Sequence, residues 1–518
     1  MQNGQGDRHP DSGPAYLGWL CALACGLAVV GARCLVVGLY GGPTPFWDQW
    51  DAEGVTLYQP FFSGDLRLVD LIIPHNEHRI LLTRLLALLL LLLNGYWDPL
   101  LQMVVNSLLS GAIAALLILW LRPLLDAASM IVVTLFALVV LELPITTENI
   151  LAGFQSQWYF LLLFSLVGLF FLHAAAALTA RWWLALLLLS LSYFCMAGGA
   201  LSLATGTALA FVQLLTGRRA GAKEWIVMVI IAFLAALAML AVPTVEAHKV
   251  LKAQSISDFL NAAVVLASWP LGGSLPTPKS YVFAIIVHAP AVLFSICVIA
   301  RGPALSDRGW LIVALTGWIV LNVAATAYGR AQAITASRYL EPAVLALPLN
   351  AACLLLAVTR SLPGSRQWKF AFVAFAIWLP LMLGGTVLSF KRVTLPHLAY
   401  LDASFRAETE NLRAYLATGD IAHLENKPFL QIPYPDARRL ATFASRPQIR
   451  AVLSPELVGQ LSADATRAHG LARITGPAAD MFKVVMLKIA PLLMALGFAV
   501  VLLSMLAVLH NRRAEPSA

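Results

Sequence analysis

Two short stretches of the chain, TPFWDQWDAEG (44–54) and PHNEHR (74–79), hold the residue types best suited to chemistry. They set Asp48, Asp51, Glu53, Glu77 and Arg79, with His75 and His78, just beyond the first long apolar run. A carboxylate kept near a low-dielectric boundary can serve as a general base toward a hydroxyl or amine, or hold a divalent cation. Asp48 and Asp51 are the candidates for that role, and Glu53 is the candidate substrate contact beside them. Phe46, Trp47 and Trp50 need no special explanation, because aromatics anchor chains at membrane exits. The competing account of the carboxylates is a solvated loop capping a helix that begins at DAEGVTLYQPF. His75 and His78 stand three apart, so a helical turn would put them on one face as half of a metal site. Spacing supplies no third ligand. They are therefore expected to position substrate, with Glu77 and Arg79 tying this loop to the carboxylate segment.

Two later stretches add polar groups of a different kind. TTENILAGFQSQ (146–157) carries Glu148, Asn149, Gln155 and Gln157 around Gly153. Amides beside a glycine suit sugar hydroxyls, and helix capping by Thr147 or Glu148 is the plainer alternative. YGRAQAITASRYLEP (328–342) carries Arg330, Arg338 and Tyr339. A guanidinium fork matches phosphate oxygens, so a lipid phosphate is the expected partner. An ion pair with Glu341 or a first-loop carboxylate is the alternative. Arg33 and His288 fall inside apolar runs and read as packing or snorkelling residues.

What positions these groups is a membrane bundle. The 518-residue chain is 60% hydrophobic and 12% charged, about half the charge of an average soluble protein. Its apolar runs of about 20 residues each suffice to cross ~30 Å of hydrocarbon. The runs are continuous, not alternating, which excludes a porin-type barrel. The first run reads as a retained span, without a small-residue cleavage site after it. About 12 spans are expected, near 15–40, 99–121, 126–146, 158–178, 182–198, 199–216, 225–243, 281–300, 309–328, 340–359, 369–390 and 482–509. The fold class is thus an all-α polytopic membrane protein. Its divisions are 1–40 (cytoplasmic N-terminus and first span), 41–98 (outer loop), 99–390 (bundle), 391–481 (small C-terminal outer domain) and 482–518 (last span and tail).

Basic loops set the orientation. GRRAGAKE (217–224), RGPALSDRG (301–309), RSLPGSRQWK (360–369) and the tail HNRRAEPSA share one side, cytoplasmic by the positive-inside rule. That distribution accounts for the net charge of +8 and argues against a nucleic-acid partner. The pattern holds only if RILLTRLLALLLLLLNGYW (79–97) lies in the outer interface, with Arg79 and Arg84 snorkelling and Tyr96 and Trp97 at headgroup level. Residues 41–98, 146–157, 196–202, 244–280, 328–342 and 391–481 then converge on the outer face. The six cysteines all lie in apolar runs, so no disulfide framework is expected. There is no Walker loop, Rossmann fingerprint or HExxH.

In this layout, and in "DQW…HNEHR", "ENILAGFQSQW" and "GRA…SRY", the chain resembles the polytopic GT-C superfamily of membrane glycosyltransferases. The resemblance covers the whole chain by architecture and rests on short motifs. It implies a polyprenyl-phosphate-linked sugar as donor, membrane lipids as partners, and a site on the periplasmic face of a bacterial inner membrane. The acidic residue after the first span would be Asp48, with Asp51 next, and the phosphate-holding cation Arg330 or Arg338. The missing adjacent acidic pair leaves the metal question open between none and a divalent cation. The acceptor, whether glycan, lipid or protein, is not specified. A transporter or flippase of a lipid-linked glycan or small solute is the rival class. It would call for internal repeats and broken helices at the midplane, neither of which is evident.

Overall fold

A computed structural model describes residues 15–459 and 470–514. Residues 1–14, 460–469 and 515–518, which fall in the expected N-terminus, outer domain and tail, lie outside that description. The described chain is helical throughout. Its first half comprises α1 (Ala15–Tyr40), α2 (Leu81–Asn94), α3 (Pro99–Leu121), α4 (Ala127–Glu142), α5 (Ser156–Leu172), α6 (Ala180–Tyr193), α7 (Gly199–Leu215) and α8 (Ala222–Leu240). The second half comprises α9 (Ile256–Ser268), α10 (Pro278–Arg301), α11 (Gly309–Gly329), α12 (Glu341–Thr359), α13 (Arg366–Ser389), α14 (Leu395–Thr418), α15 (Ala437–Ala444) and α16 (Ala472–Ala514).

Nine of the described helical stretches are long and apolar enough to cross a membrane, which makes this a helical membrane protein. Three segments expected to span form shorter helices: α4, α6 and α7 have 16, 14 and 17 residues. At 1.5 Å per residue they reach roughly 21–26 Å, short of the ~30 Å hydrocarbon core. The expected count of about 12 therefore rests on these three. Small residues let the central helices approach closely. A Cβ on Gly31 would lie 2.6 Å from the Ala490 carbonyl of α16, and one on Gly111 of α3 would lie 2.7 Å from the Gly26 carbonyl.

Two features depart from the sequence reading. α9 forms within residues 244–280, which were expected only as a segment on the outer face, with no helix assigned there. A capping box at Ser255 and Asp258 starts it, and a capping box of this kind is legible in the string SISD. The expected boundary at residue 391 is crossed by helix, since α13 passes through a π-helical turn at Phe390–Thr394 into α14. Arg366–Thr418 is thus one 53-residue helical rod, ending as expected at Gly419 with φ 73°.

The polar part beyond the bundle has a core of its own, shared between two distant segments. Trp50, Leu57, Tyr58, Leu91 and Trp97 pack with Leu412, Leu440, Phe443, Ile449 and Leu453. The insertion after residue 391 therefore folds upon the first loop, which supplies the apolar surface that so short a segment lacks. Both ends of α2 attach to this same subdomain. Near its start, Arg84 donates to the Leu71 and Ile73 carbonyls at 3.1 and 2.6 Å. Just past its end, the Trp97 amide donates to the Val452 carbonyl at 2.6 Å. Arg84 is 1% exposed, so it stitches the loop to α2 and does not snorkel as expected. Leu85, Leu89 and Leu92 form an exposed stripe along the other face of α2.

Candidate functional site

Asp48 is presented by a tight turn. Trp47 adopts φ 48° in the left-handed region, and its amide donates to the Pro433 carbonyl at 2.8 Å. The Gln49 side chain accepts from the Phe46 amide at 3.0 Å, and the Trp50 indole donates to the Pro45 carbonyl at 2.7 Å. The turn runs directly into a π-helix at Trp50–Tyr58. With its neighbours so pinned, the Asp48 carboxylate remains 47% exposed and 3.3 Å from His75 Nε2. Burial works to raise its pKa, but the His75 hydrogen bond and the charges of His75, Arg338 and His78 outweigh it and hold the carboxyl below its usual range.

The two histidines are not on a helical turn. His75 and His78 exchange backbone hydrogen bonds of 2.8 and 3.0 Å, and Asn76 sits between them at φ 51°. A separation of three closes a tight turn as readily as a helix, so spacing alone misassigns the geometry. His78 Nδ1 lies 3.4 Å from the Ala197 amide, which donates to it. Burial, with the Arg330 and His75 charges, pushes His78 down to about 4 against the pull of Glu77 and Asp48. His78 is therefore neutral at neutral pH. Among the described residues, no group of three or more His, Cys, Asp or Glu is arranged to hold a metal ion. In the structure His75 hydrogen-bonds to Asp48, and His78 to the Ala197 amide.

Glu77 joins two further loops. It accepts from Arg330 Nη2 at 2.9 Å and pairs with His248 Nδ1 at 2.7 Å. Burial opposes its ionisation, yet Arg330, His248 and His78 bring its pKa down to about 2. Glu148 does the same for Arg338, accepting from Nη1 at 2.7 Å and from the Ser337 hydroxyl at 3.0 Å. Arg338 also lies over the ring of buried Tyr339, 5.1 Å from its centre. Asn149 donates to the Arg338 carbonyl at 3.0 Å, and Thr147 meets His397 Nδ1 at 2.9 Å. The alternative partner Glu341 is taken instead by Arg33 and Thr146, and Arg330 and Arg338 are each neutralised by an acid from another loop. His248 and His397 escaped the sequence reading, because only the fold brings the segment after α8 and the start of α14 to this site.

The other candidates have different roles. Asp51 is held by the insertion: Tyr434 donates to it at 2.7 Å and Arg439 at 2.6 Å. Glu53 is fully buried. Its Oε2 accepts from Trp97 at 2.8 Å, Gln102 at 2.9 Å and Gln49 at 3.2 Å. Among the described residues its Oε1 has no hydrogen-bond partner. Burial raises Glu53 to about 7 despite those donors. It is the internal anchor of the Asp48 turn and not a surface contact. Gln157 donates to Gln155 at 3.2 Å, and neither hydrogen-bonds to the Asp48 cluster; the neighbouring Phe154 ring does meet His75, centroids 5.4 Å apart. Arg79 donates to the Ile72 carbonyl at 3.0 Å and to Tyr193 at 3.4 Å.

The polar loops anticipated on one face do meet. Residues of the first loop, the 146–157 loop, the 196–202 turn, the segment after α8, the 328–342 segment and the insertion are joined by the hydrogen bonds above, at one end of the bundle. The arrangement offers a half-exposed carboxylate beside a histidine and within the influence of the Arg338 charge, at one end of a helical bundle. Comparison of the chain with protein families, with curated proteins and with solved structures finds no match.

Proposed function

We propose that this chain is a membrane glycosyltransferase that takes a sugar from a polyprenyl-phosphate-linked donor at its outer face. The observation that carries the reading is the half-exposed Asp48 carboxylate at the meeting point of the polar loops, beside His75. Asp48 accepts the proton of the acceptor hydroxyl as that oxygen attacks the anomeric carbon. The bond from that carbon to the phosphate oxygen breaks, and the electron pair leaves with the polyprenyl phosphate. A cation at the departing phosphate stabilises the charge that develops there. Arg338 suits this better than Arg330, because its side chain is 34% exposed and that of Arg330 only 18%. Tight pairing to Glu148 orients the guanidinium without covering it. Asp51, closed by Tyr434 and Arg439, holds the insertion in place over the site.

In this reading α2 lies in the outer interface, α4, α6 and α7 complete about 12 spans, and the membrane is a bacterial inner membrane. The attachment of both ends of α2 to one subdomain supports it. Cysteines introduced at Asp65 and Pro123, with the exposed Cys297 first replaced by Ser, should label from opposite sides, the former from outside. Labelling from the same side would mean that α2 crosses.

The donor is tested through Arg338. Arg338→Lys keeps the charge but loses the planar fork, so binding of a polyprenyl phosphate to the purified protein should weaken by roughly tenfold, the worth of one charge-assisted hydrogen bond. Unchanged binding would assign Arg338 to the Glu148 bridge alone.

A further inference from the structure

The end of the bundle opposite Asp48 carries arginines that this chemistry does not use. Arg181, at the start of α6, donates to the Phe171 and Phe170 carbonyls at 3.0 and 3.3 Å. It thereby closes the last turn of α5. Its guanidinium carbon lies 6.0 Å from the centre of the Phe170 ring. Arg308, at the head of α11, lies 4.7 Å from the centre of the same ring. That ring is fixed by stacking on Trp120, centroids 4.7 Å apart and planes 14° from parallel.

Two guanidinium groups thus share one aromatic ring. Among the described residues neither arginine forms an ion pair: Glu224 is bound by Arg219 at 2.8 Å and by the Ala177 amide at 2.8 Å, and Asp307, beside Arg308 in sequence, accepts from the Gly309 amide at 2.6 Å. Arg308 Nη1 is buried and has no hydrogen-bond partner among the described residues. Like charges at a low-dielectric boundary repel, and a buried charged donor left unpaired is costly. An anion between the two arginines removes both penalties.

We propose that Arg181 and Arg308 form a binding site for the phosphate of an anionic phospholipid. The position favours a lipid as the source. The site lies where the basic loops gather, the end expected to face the anionic inner leaflet. Below Arg181, α6 leaves Trp183, Leu184 and Leu187 exposed, an apolar strip along which acyl chains can lie with the indole at headgroup level. The site stands apart from Asp48 and does not depend on the glycosyltransferase reading.

The test uses the purified full chain in neutral detergent, given phosphatidylglycerol or phosphatidylcholine, with retained lipid read by native mass spectrometry. The wild type should retain phosphatidylglycerol well above phosphatidylcholine. Arg308→Gln should reduce the retained phosphatidylglycerol by about tenfold, as expected for loss of a charge-assisted hydrogen bond. This variant is chosen because Arg181 also caps α5, whereas among the described residues the Arg308 side chain makes no hydrogen bond. Its unfolding temperature without added lipid should be no lower than that of the wild type, since the substitution removes the unpaired donor and the repulsion from Arg181. Equal retention of the two lipids by the wild type, or full retention of phosphatidylglycerol by Arg308→Gln, would overturn the proposal. Displacement of the lipid by an equal concentration of inorganic phosphate would assign the site to a small anion and equally overturn it.

Discussion

Asp48→Asn should lower sugar transfer by a factor on the order of a hundred to ten thousand, the usual contribution of a positioned base, while leaving the protein folded and inserted. Asn fills the same space and still hydrogen-bonds to His75, but it cannot take the acceptor's proton. The turn that presents residue 48 is held by Trp47, Gln49 and Trp50, not by the Asp48 carboxylate. Asp51→Asn is the control, because the two carboxylates lie three residues apart and both follow the first span. Its expected effect is smaller and of another kind. Loss of its charge weakens the ion pair to Arg439 and loosens the insertion, raising acceptor KM more than it lowers kcat. Transfer rates with donor in excess, for both variants, separate the two roles. A dead Asp51→Asn beside a nearly normal Asp48→Asn would move the base to Asp51.

The second large effect is on stability. Glu53→Ala should strand the Trp97 and Gln102 donors in a closed core, each at a cost of about 1–3 kcal/mol. The turn carrying Asp48 and the shared core beneath the insertion should loosen together, read as a lower unfolding temperature and faster proteolysis of the first loop. Glu53→Gln should instead keep the fold, since its amide oxygen can take the three donors and its nitrogen can replace the unpartnered oxygen. That variant also isolates a pH effect. The Glu53 pKa is raised from 4.5 to about 7 in the folded chain, so its contribution to stability is full below 4.5 and is lost as pH rises through about 7. His78 runs the other way, its pKa depressed from 6.5 to about 4, so its contribution is present above 6.5 and lost as pH falls through about 4. The difference between wild type and Glu53→Gln cancels the His78 part. It should grow between pH 5 and 8 in the direction of a less stable wild type at high pH. A flat difference would mean that Glu53 does not titrate there.

The helices were legible because continuous apolar runs leave a chain few alternatives in a membrane. The meeting of the polar loops was legible from the placement of basic residues alone. Within the site, the alternative of a first-loop carboxylate for Arg330 and Arg338 is met by Glu77 with Arg330, but which acid pairs with which arginine was not legible. Glu77 finds Arg330 across 253 residues and Glu148 finds Arg338 across 190, and no local pattern encodes such partners. HNEHR was misassigned because a three-residue spacing serves a helix and a tight turn alike. Glu53 looked like a surface acid, since nothing near it in sequence announces Trp97 and Gln102 as its donors. Arg84 looked like a snorkelling residue because its carbonyl partners belong to an irregular loop.

The most direct test of the central claim uses purified protein in liposomes with a short-chain polyprenyl-phosphate sugar, labelled in the sugar, and an envelope extract as acceptor. The account predicts that label leaves the lipid, that free polyprenyl phosphate appears in equal amount, and that both cease in Asp48→Asn. Label that crosses the bilayer still attached to its lipid, at the same rate in wild type and Asp48→Asn, would contradict it and make the chain a transporter.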